Sequence, residues 1–394
     1  MAEPLRRIPD ALWQEVEALA RGGESQGDAL KAVLSVLLAV AAAMALHLPD
    51  IVWAALSGFI VMKSRLAEAL PRGLNRIVGT VAGAGLGFVA ARWVAPSPVL
   101  LMASLFVFTW IGIFQATVSG FSYGWTLFGV TASLVLTQAL SDADGTAAFA
   151  ATRVAEVTIG TGAALLVAAV FELFGAPPGQ GAPQAAAVEG ATLSLRRLCD
   201  EAWLAAHWRL ITHAARAAIA VAMLPLIWRA FDITNYAQTA VTSYIVMIVP
   251  AGVIERGESE VIYARMLHRG LGCLFGALLA LLCLRIAADD LLLWALCLSL
   301  GVWIGFSLQS GTTGIAYVGT QFAFAFLFTF VQGPGPATSV TPGLERLLGI
   351  VIGAVTMTVV LLIWPPFADP SPAMTADRPR VRDAHKTKTE RCAR

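Results

Sequence analysis

One local pattern recurs four times along this chain in fixed register: an arginine followed seven residues later by a glycine. The pairs are Arg76 with Gly83, Arg153 with Gly160, Arg269 with Gly276, and Arg346 with Gly353. Arg76 and Arg153 stand 77 residues apart, and so do Arg269 and Arg346, while the two sets are offset by 193 residues. At three of the four sites a further glycine lies three residues after the arginine (Gly79, Gly272 and Gly349); the fourth site has Glu156 there. Glycines at helical spacing (Gly79, Gly83, Gly87) form a small-residue stripe that lets two helices approach closely in lipid. A chain that repeats this four times is expected to be a duplicated bundle of helices.

The solvent for that bundle follows from composition. Hydrophobic residues make up 57% of the 394 positions and charged residues 13%, about half the charged share of soluble domains. This makes a polytopic membrane protein the starting expectation. A net charge of +1 gives no reason to expect a nucleic-acid partner. The five cysteines show no CxxC spacing, and three lie inside apolar runs, so neither a disulfide framework nor a metal site is expected.

Apolar runs cover about Ala29–Leu48, Ile51–Met62, Arg76–Ala95, Val99–Gln115, Phe121–Leu140 and Ala147–Phe174. After a Pro/Gly/Ala-rich linker the cycle returns, with corresponding stretches such as Trp110-Ile111-Gly112 and Trp303-Ile304-Gly305 at the 193-residue offset. Phe59-Ile60-Val61-Met62 and Tyr244-Ile245-Val246-Met247 match at an offset of 185, which leaves a longer loop after Met247. The expected fold is therefore all-α, with about twelve transmembrane helices in two six-helix repeats. The division runs 1–27 (an amphipathic cytoplasmic segment), 28–175 (first repeat), 176–209 (a cytoplasmic linker with an amphipathic helix), 210–365 (second repeat) and 366–394 (a basic, disordered cytoplasmic tail).

Residues 1–27 contain no apolar core followed by a small-residue cleavage site, so the first spanning helix is expected to target the chain. Most of the 27 Lys and Arg fall on one side if the N-terminus is inside; Arg92, Arg153, Arg229, Arg285 and Arg346 fall on the other. The positive-inside rule then predicts both termini in the cytoplasm. Within each half, the third helix starts inside and the sixth starts outside, so Arg76 and Arg153 approach from opposite faces, as in an inverted repeat.

An arginine inside a spanning helix is costly, roughly 2.5–3.5 kcal/mol at mid-helix on insertion scales. Arg76 and Arg269 are candidates either for snorkelling to headgroups or for an anion path; Arg153 and Arg346, on the side poor in cations, favour the path. Structural stapling of neighbouring helices is the bland alternative for all four. Glu156 is either a local partner of Arg153 or a proton-coupling carboxylate. The short segments 51–62 and 235–249 are either plain short helices or pointers to a transporter site. Trp53, Trp110, Trp125, Trp303, Tyr123 and Tyr317 are expected as interface anchors rather than ligand stackers; Tyr123 and Tyr317 also follow polar breaks, which makes them candidates for a cavity mouth. Gly79, Gly83, Gly87, Gly160, Gly272, Gly276, Gly349 and Gly353 are expected in helix packing. No GxxxxGK[ST] or HExxH occurs, so no nucleotide hydrolysis, catalytic residue or cofactor is expected.

The short apolar segment ending in an IVM-type stretch, the basic amphipathic connection, and then Arg-x-x-Gly-x-x-x-Gly, once in each half, resemble the fusaric acid resistance family. The resemblance runs over about 28–175 and 210–365. It implies an exporter of aromatic carboxylates in a bacterial inner membrane, with Arg76, Arg153, Arg269 and Arg346 lining or flanking the anion route. It also implies a periplasmic adaptor subunit as a partner. Many members carry a sizeable cytosolic domain between the halves; here only a short linker intervenes. A passive organic-anion channel and a structural scaffold remain the alternative functions at this point.

Overall fold

The computed structural model describes residues 24–94, 97–174, 201–231, 236–256, 259–287, 290–311, 314–333, 339 and 341–365. Residues 1–23 of the expected amphipathic segment, 176–200 of the linker and the tail over 366–394 lie outside these residues.

The described chain is helical. In order, the helices are α1 (Glu24–Ala45), α2 (Ile51–Val61), α3 (Leu66–Val94), α4 (Pro98–Val118), α5 (Ser122–Ser141) and α6 (Thr146–Phe174). Then follow α7 (Glu201–Phe231), α8 (Tyr236–Ile245), α9 (Ala251–Arg256), α10 (Ser259–Ile286), α11 (Leu291–Ser310), α12 (Ala316–Phe330) and α13 (Thr341–Ile363). Eight of them (α1, α3, α4, α6, α7, α10, α11 and α13) are long and apolar enough to cross a membrane. The chain is a polytopic all-α membrane protein.

The other helices expected as spans fall short for identifiable reasons. An α-helix rises about 1.5 Å per residue against a hydrocarbon core of about 30 Å. The 11 residues of α2 and the 10 of α8 cover about half of it, and the 15 of α12 cover more. Helix α5 has 20 residues, but Ser122, Thr126, Thr131, Ser133, Thr137 and Gln138 dilute its apolar character.

Boundaries differ from the sequence expectation at two places. The connection 63–75 is helical from Leu66 onward, so α3 starts ten residues before Arg76. Pro71 lies in the second turn of the helix and removes the N–H that would bond the carbonyl four residues back. Residues 201–209, expected as part of a separate amphipathic segment, run without a break into α7. The longer loop after Met247 contains the short helix α9.

In lipid, apolar side chains supply no drive for helix association, so packing rests on close backbone approach and polar contacts. Helix α3 shows both faces of that rule. Leu74, Val78, Val81 and Val89 are exposed, while Arg76, Gly79, Gly83 and Gly87 are buried. Helix α3 packs against α5, and a methyl group on Gly79 would overlap the carbonyl oxygen of Gly124. Helix α10 packs against α12 in the same manner, with Gly272 and Gly276 against the carbonyls of Val318 and Phe322. On α6, Gly160 abuts the carbonyl of Ala54 in α2. On α13, Gly349 is buried, and a Cβ on Gly353 would come within 2.8 Å of the Thr239 carbonyl oxygen in α8. The two groups of helices also cross: α4 packs against α7, and α11 against α1.

Candidate functional site

Where α2, α3, α5, α8, α10, α12 and α13 converge they enclose a cavity of about 910 Å³. Its wall carries Lys63, Arg72, Arg76, Arg265, Arg269 and Arg346 against a single acid, Glu68. Aromatic rings of Trp53, Tyr123, Tyr317, Phe324 and Phe328 complete it.

Three of the four repeated arginines, Arg76, Arg269 and Arg346, therefore face one space. Arg153 does not line it. Its guanidinium lies 4.1 Å from the ring of Trp53, which does. All four arginines are between 1% and 4% exposed, which is incompatible with snorkelling of Arg76 and Arg269 to headgroups.

Each arginine is held by groups from a neighbouring helix. Arg76 Nε donates to Ser57 Oγ on α2 at 3.0 Å, and its Nη1 donates to the Tyr123 hydroxyl on α5 at 2.7 Å. Arg269 uses Nε and Nη2 toward Thr242 Oγ1 on α8, at 3.3 and 3.2 Å, and Nη1 toward the Gln321 side-chain oxygen on α12. The short helices α2 and α8 thus supply equivalent hydroxyls to equivalent arginines. Arg346 stacks on Phe328, 4.1 Å from the ring centre.

Arg153 sits among acids instead. Its Nη1 is 3.4 Å from Glu156 Oε2 and its Nη2 is 3.4 Å from Asp50 Oδ2. Glu156 is fully buried and its Oε1 accepts the backbone N–H of Asp50 at 3.0 Å. The carboxylate therefore pins the start of α2 to α6 while balancing the arginine beside it.

Several participants were not singled out in the sequence. Arg72 and Arg265 stand at the same 193-residue offset as the named pairs, and each guanidinium lies 4.4 Å from a tyrosine ring, Tyr123 and Tyr317 respectively. Their offset was visible, but they fell in stretches taken for charged connections. Gln321, Ser57 and Thr242 carry no motif that a linear reading could isolate. Trp53 corrects an expectation: its ring lies between a guanidinium and the cavity rather than at a lipid interface.

Residues 38–167 match the family model described as fusaric acid resistance protein-like. The likeness is confined to this third of the chain. The resemblance read from the sequence holds over α2 to α5, the C-terminal third of α1 and most of α6, and the matched range contains Arg76, Tyr123, Arg153 and Glu156. The second group of cavity residues, Arg265, Arg269, Tyr317 and Arg346, lies beyond it. No curated protein and no solved structure matches the chain. The eight apolar helices mark a multi-pass membrane protein, and the match over residues 38–167 supports membrane transport in general.

Proposed function

We propose that this protein is a bacterial inner-membrane exporter of small aromatic carboxylate anions. The anion moves along an arginine-lined path between two homologous six-helix halves, with both termini in the cytoplasm. The observation that carries the reading is the cavity with six cationic side chains, one acid and five aromatic rings. Guanidinium groups bind carboxylates through charge-assisted, often bidentate hydrogen bonds, and the rings offer stacking surface to an aromatic body.

In that orientation Lys63, Arg72 and Arg265 ring the cytoplasmic entrance, and Trp53, Phe328 and Arg346 stand at the outer end. A cell interior that is negative favours anion exit by roughly 2.3 kcal/mol per charge per 100 mV. Glu156 is the candidate for proton coupling, since its buried carboxylate and Arg153 share charge behind the Trp53 ring.

Two other readings have support of their own. The potential alone moves an anion outward, which favours a passive channel. The contacts of each arginine to a neighbouring helix favour a scaffold. Purified protein in liposomes separates all three. The exporter reading expects saturable flux of an aryl carboxylate, accompanied by protons, with the proton component lost in Glu156→Gln. Flux that follows voltage alone leaves a channel. An Arg76→Gln, Arg269→Gln double variant that keeps full flux while melting at lower temperature leaves only a scaffold.

A further inference from the structure

The two arginine–tyrosine pairs on the cavity wall are built alike but are not in the same state. In the first, Arg72 Nε donates to the Ile60 carbonyl at 2.9 Å, and the Tyr123 hydroxyl accepts from Arg76. Arg72 Nε and the Tyr123 hydroxyl oxygen thus each have a partner within the protein. In the second pair, Arg265 Nε and the Tyr317 hydroxyl have no hydrogen-bond partner among the described residues.

The cause lies in two local differences. Ile245 stands where Ile60 does at the 185-residue offset, but α8 ends at Ile245 and its carbonyl accepts the Ile248 N–H instead. That carbonyl is thereby committed to the turn beyond α8. The glycine contacts pair Gly124 with Val318, which sets Tyr123 against Tyr317 and Leu127 against Gln321. Gln321 takes Arg269 for itself, so Arg269 does not reach Tyr317 as Arg76 reaches Tyr123.

We propose that Arg265 and Tyr317 form the carboxylate-binding subsite of the cavity, and that Arg72, Arg76 and Tyr123 form a self-satisfied counterpart that does not bind substrate directly. This rests on the reading of the protein as an aryl carboxylate transporter and assigns where that ligand docks. An Nε–H and a phenolic O–H held together by a cation–π stack are two donors. A carboxylate, with two acceptor oxygens and a negative charge, satisfies both. Leaving such donors buried and unmet costs free energy that a ligand recovers.

The wall beyond the pair fits the rest of such a ligand. Tyr317, Gln321, Phe324 and Phe328 follow one face of α12, and all four line the cavity. Seven residues separate Tyr317 from Phe324, about 10 Å along a helix. An aromatic ring carried a few atoms from its carboxylate spans that distance. The matching face of α5 presents Tyr123, Leu127 and Val130 to the cavity, with Leu134 withdrawn into the core, so it offers no ring beyond the tyrosine.

The test is transport of 3-phenylpropanoate by the full-length protein in liposomes. Tyr317→Phe is expected to raise KM about tenfold, with the maximal rate held within about twofold, and to do so at least five times more than Tyr123→Phe. The neutral 3-phenylpropanamide, which cannot supply a carboxylate, is expected to compete equally poorly in wild type and Tyr317→Phe. Arg265→Lys keeps the charge but drops the Nε–H, and set against Arg72→Lys it gives the same comparison if Tyr317→Phe does not fold. Equal effects at the two tyrosines, or a larger effect at Tyr123, overturn the asymmetric subsite while leaving transport intact. A wild-type protein that moves no aryl carboxylate instead removes the transport reading itself.

Discussion

Trp53 on α2 and Phe328 on α12 meet edge to face, their ring centroids 5.1 Å apart at 88°. Each carries a guanidinium: Arg153 on Trp53 and Arg346 on Phe328, both at 4.1 Å. Four side chains from α6, α2, α12 and α13 thus form a continuous cation–ring–ring–cation row. Aromatic pairs contribute about 0.5–1.5 kcal/mol beyond burial, and cation–π contacts about as much. Trp53→Leu, which breaks both contacts and leaves a void, is expected to cost about 2–4 kcal/mol. Trp53→Phe should recover more than half of that. Thermal unfolding in detergent measures both, and equal losses in the two variants would falsify the row as a stabilising unit.

Glu156 balances Arg153 where both side chains are buried, beside a half-exposed Asp50. Removing one member of a buried pair strands the other charge, although Asp50 stays within 3.4 Å to share it. Glu156→Gln is therefore expected to lower stability by about 1–3 kcal/mol. Arg153→Gln together with Glu156→Gln should be less destabilising than the sum of the two single variants. A double-mutant cycle on unfolding midpoints decides it; strict additivity would show that the two do not interact. This loss is separate from any effect on proton coupling, so flux must be compared per folded molecule.

Gly160 and Gly162 lie two residues apart on α6 and should respond in opposite ways to the same change. A methyl at Gly160 runs into the Ala54 carbonyl of α2, whereas nothing lies within 4 Å of one at Gly162. Gly160→Ala is expected to cost about 1–3 kcal/mol through overpacking. Gly162→Ala is expected to stabilise by about 0.5–1 kcal/mol through helix propensity. If both changes move the melting temperature in the same direction, the close approach of α2 and α6 is misjudged.

Lys63, in the connection between α2 and α3, has its pKa held below the ordinary 10.5 by burial first and by Arg72 second, with Glu68 opposing. Between the lowered value and 10.5 the unfolded chain binds more protons than the folded one, so stability rises with pH across that window. An anion in the cavity works in the reverse sense, because it favours the charged ammonium. Carboxylate affinity should accordingly decline as pH climbs through the same window, with proton uptake on binding. Lys63→Arg, which stays charged there, should flatten the decline. Titration calorimetry in buffers of different ionisation enthalpy would detect the uptake; its absence in the wild type would remove Lys63 from the binding field.

The membrane setting and the long helices were legible because a spanning helix must be long and apolar, a demand written in consecutive residues. The repeated arginines were legible because charge inside such runs is rare. What escaped were relationships between distant helices. Ser57 and Thr242 look like ordinary hydroxyls until α2 and α8 fold against α3 and α10. Trp53 reads as an interface tryptophan until Arg153, about a hundred residues later, is laid over it. The extra ten residues at the start of α3 were hidden by Pro71 and the charges around it, which resemble a loop when counted along the chain. Gln321 differs from Leu127 by one polar group, and only geometry reveals that this group diverts Arg269 from Tyr317.

Helix α2 has 11 residues and finds its lasting neighbours in α1 and α6. Gly160, the residue that seats it, is added to the growing chain about a hundred residues after Ala54. At roughly 5–20 residues per second of synthesis, α2 waits about 5–20 seconds for that seat. During the wait it is too short to hold itself across the bilayer and is left to α1 and whatever escorts the nascent chain. Biogenesis of this protein should therefore be most vulnerable in the interval between emergence of the second helix and arrival of the sixth.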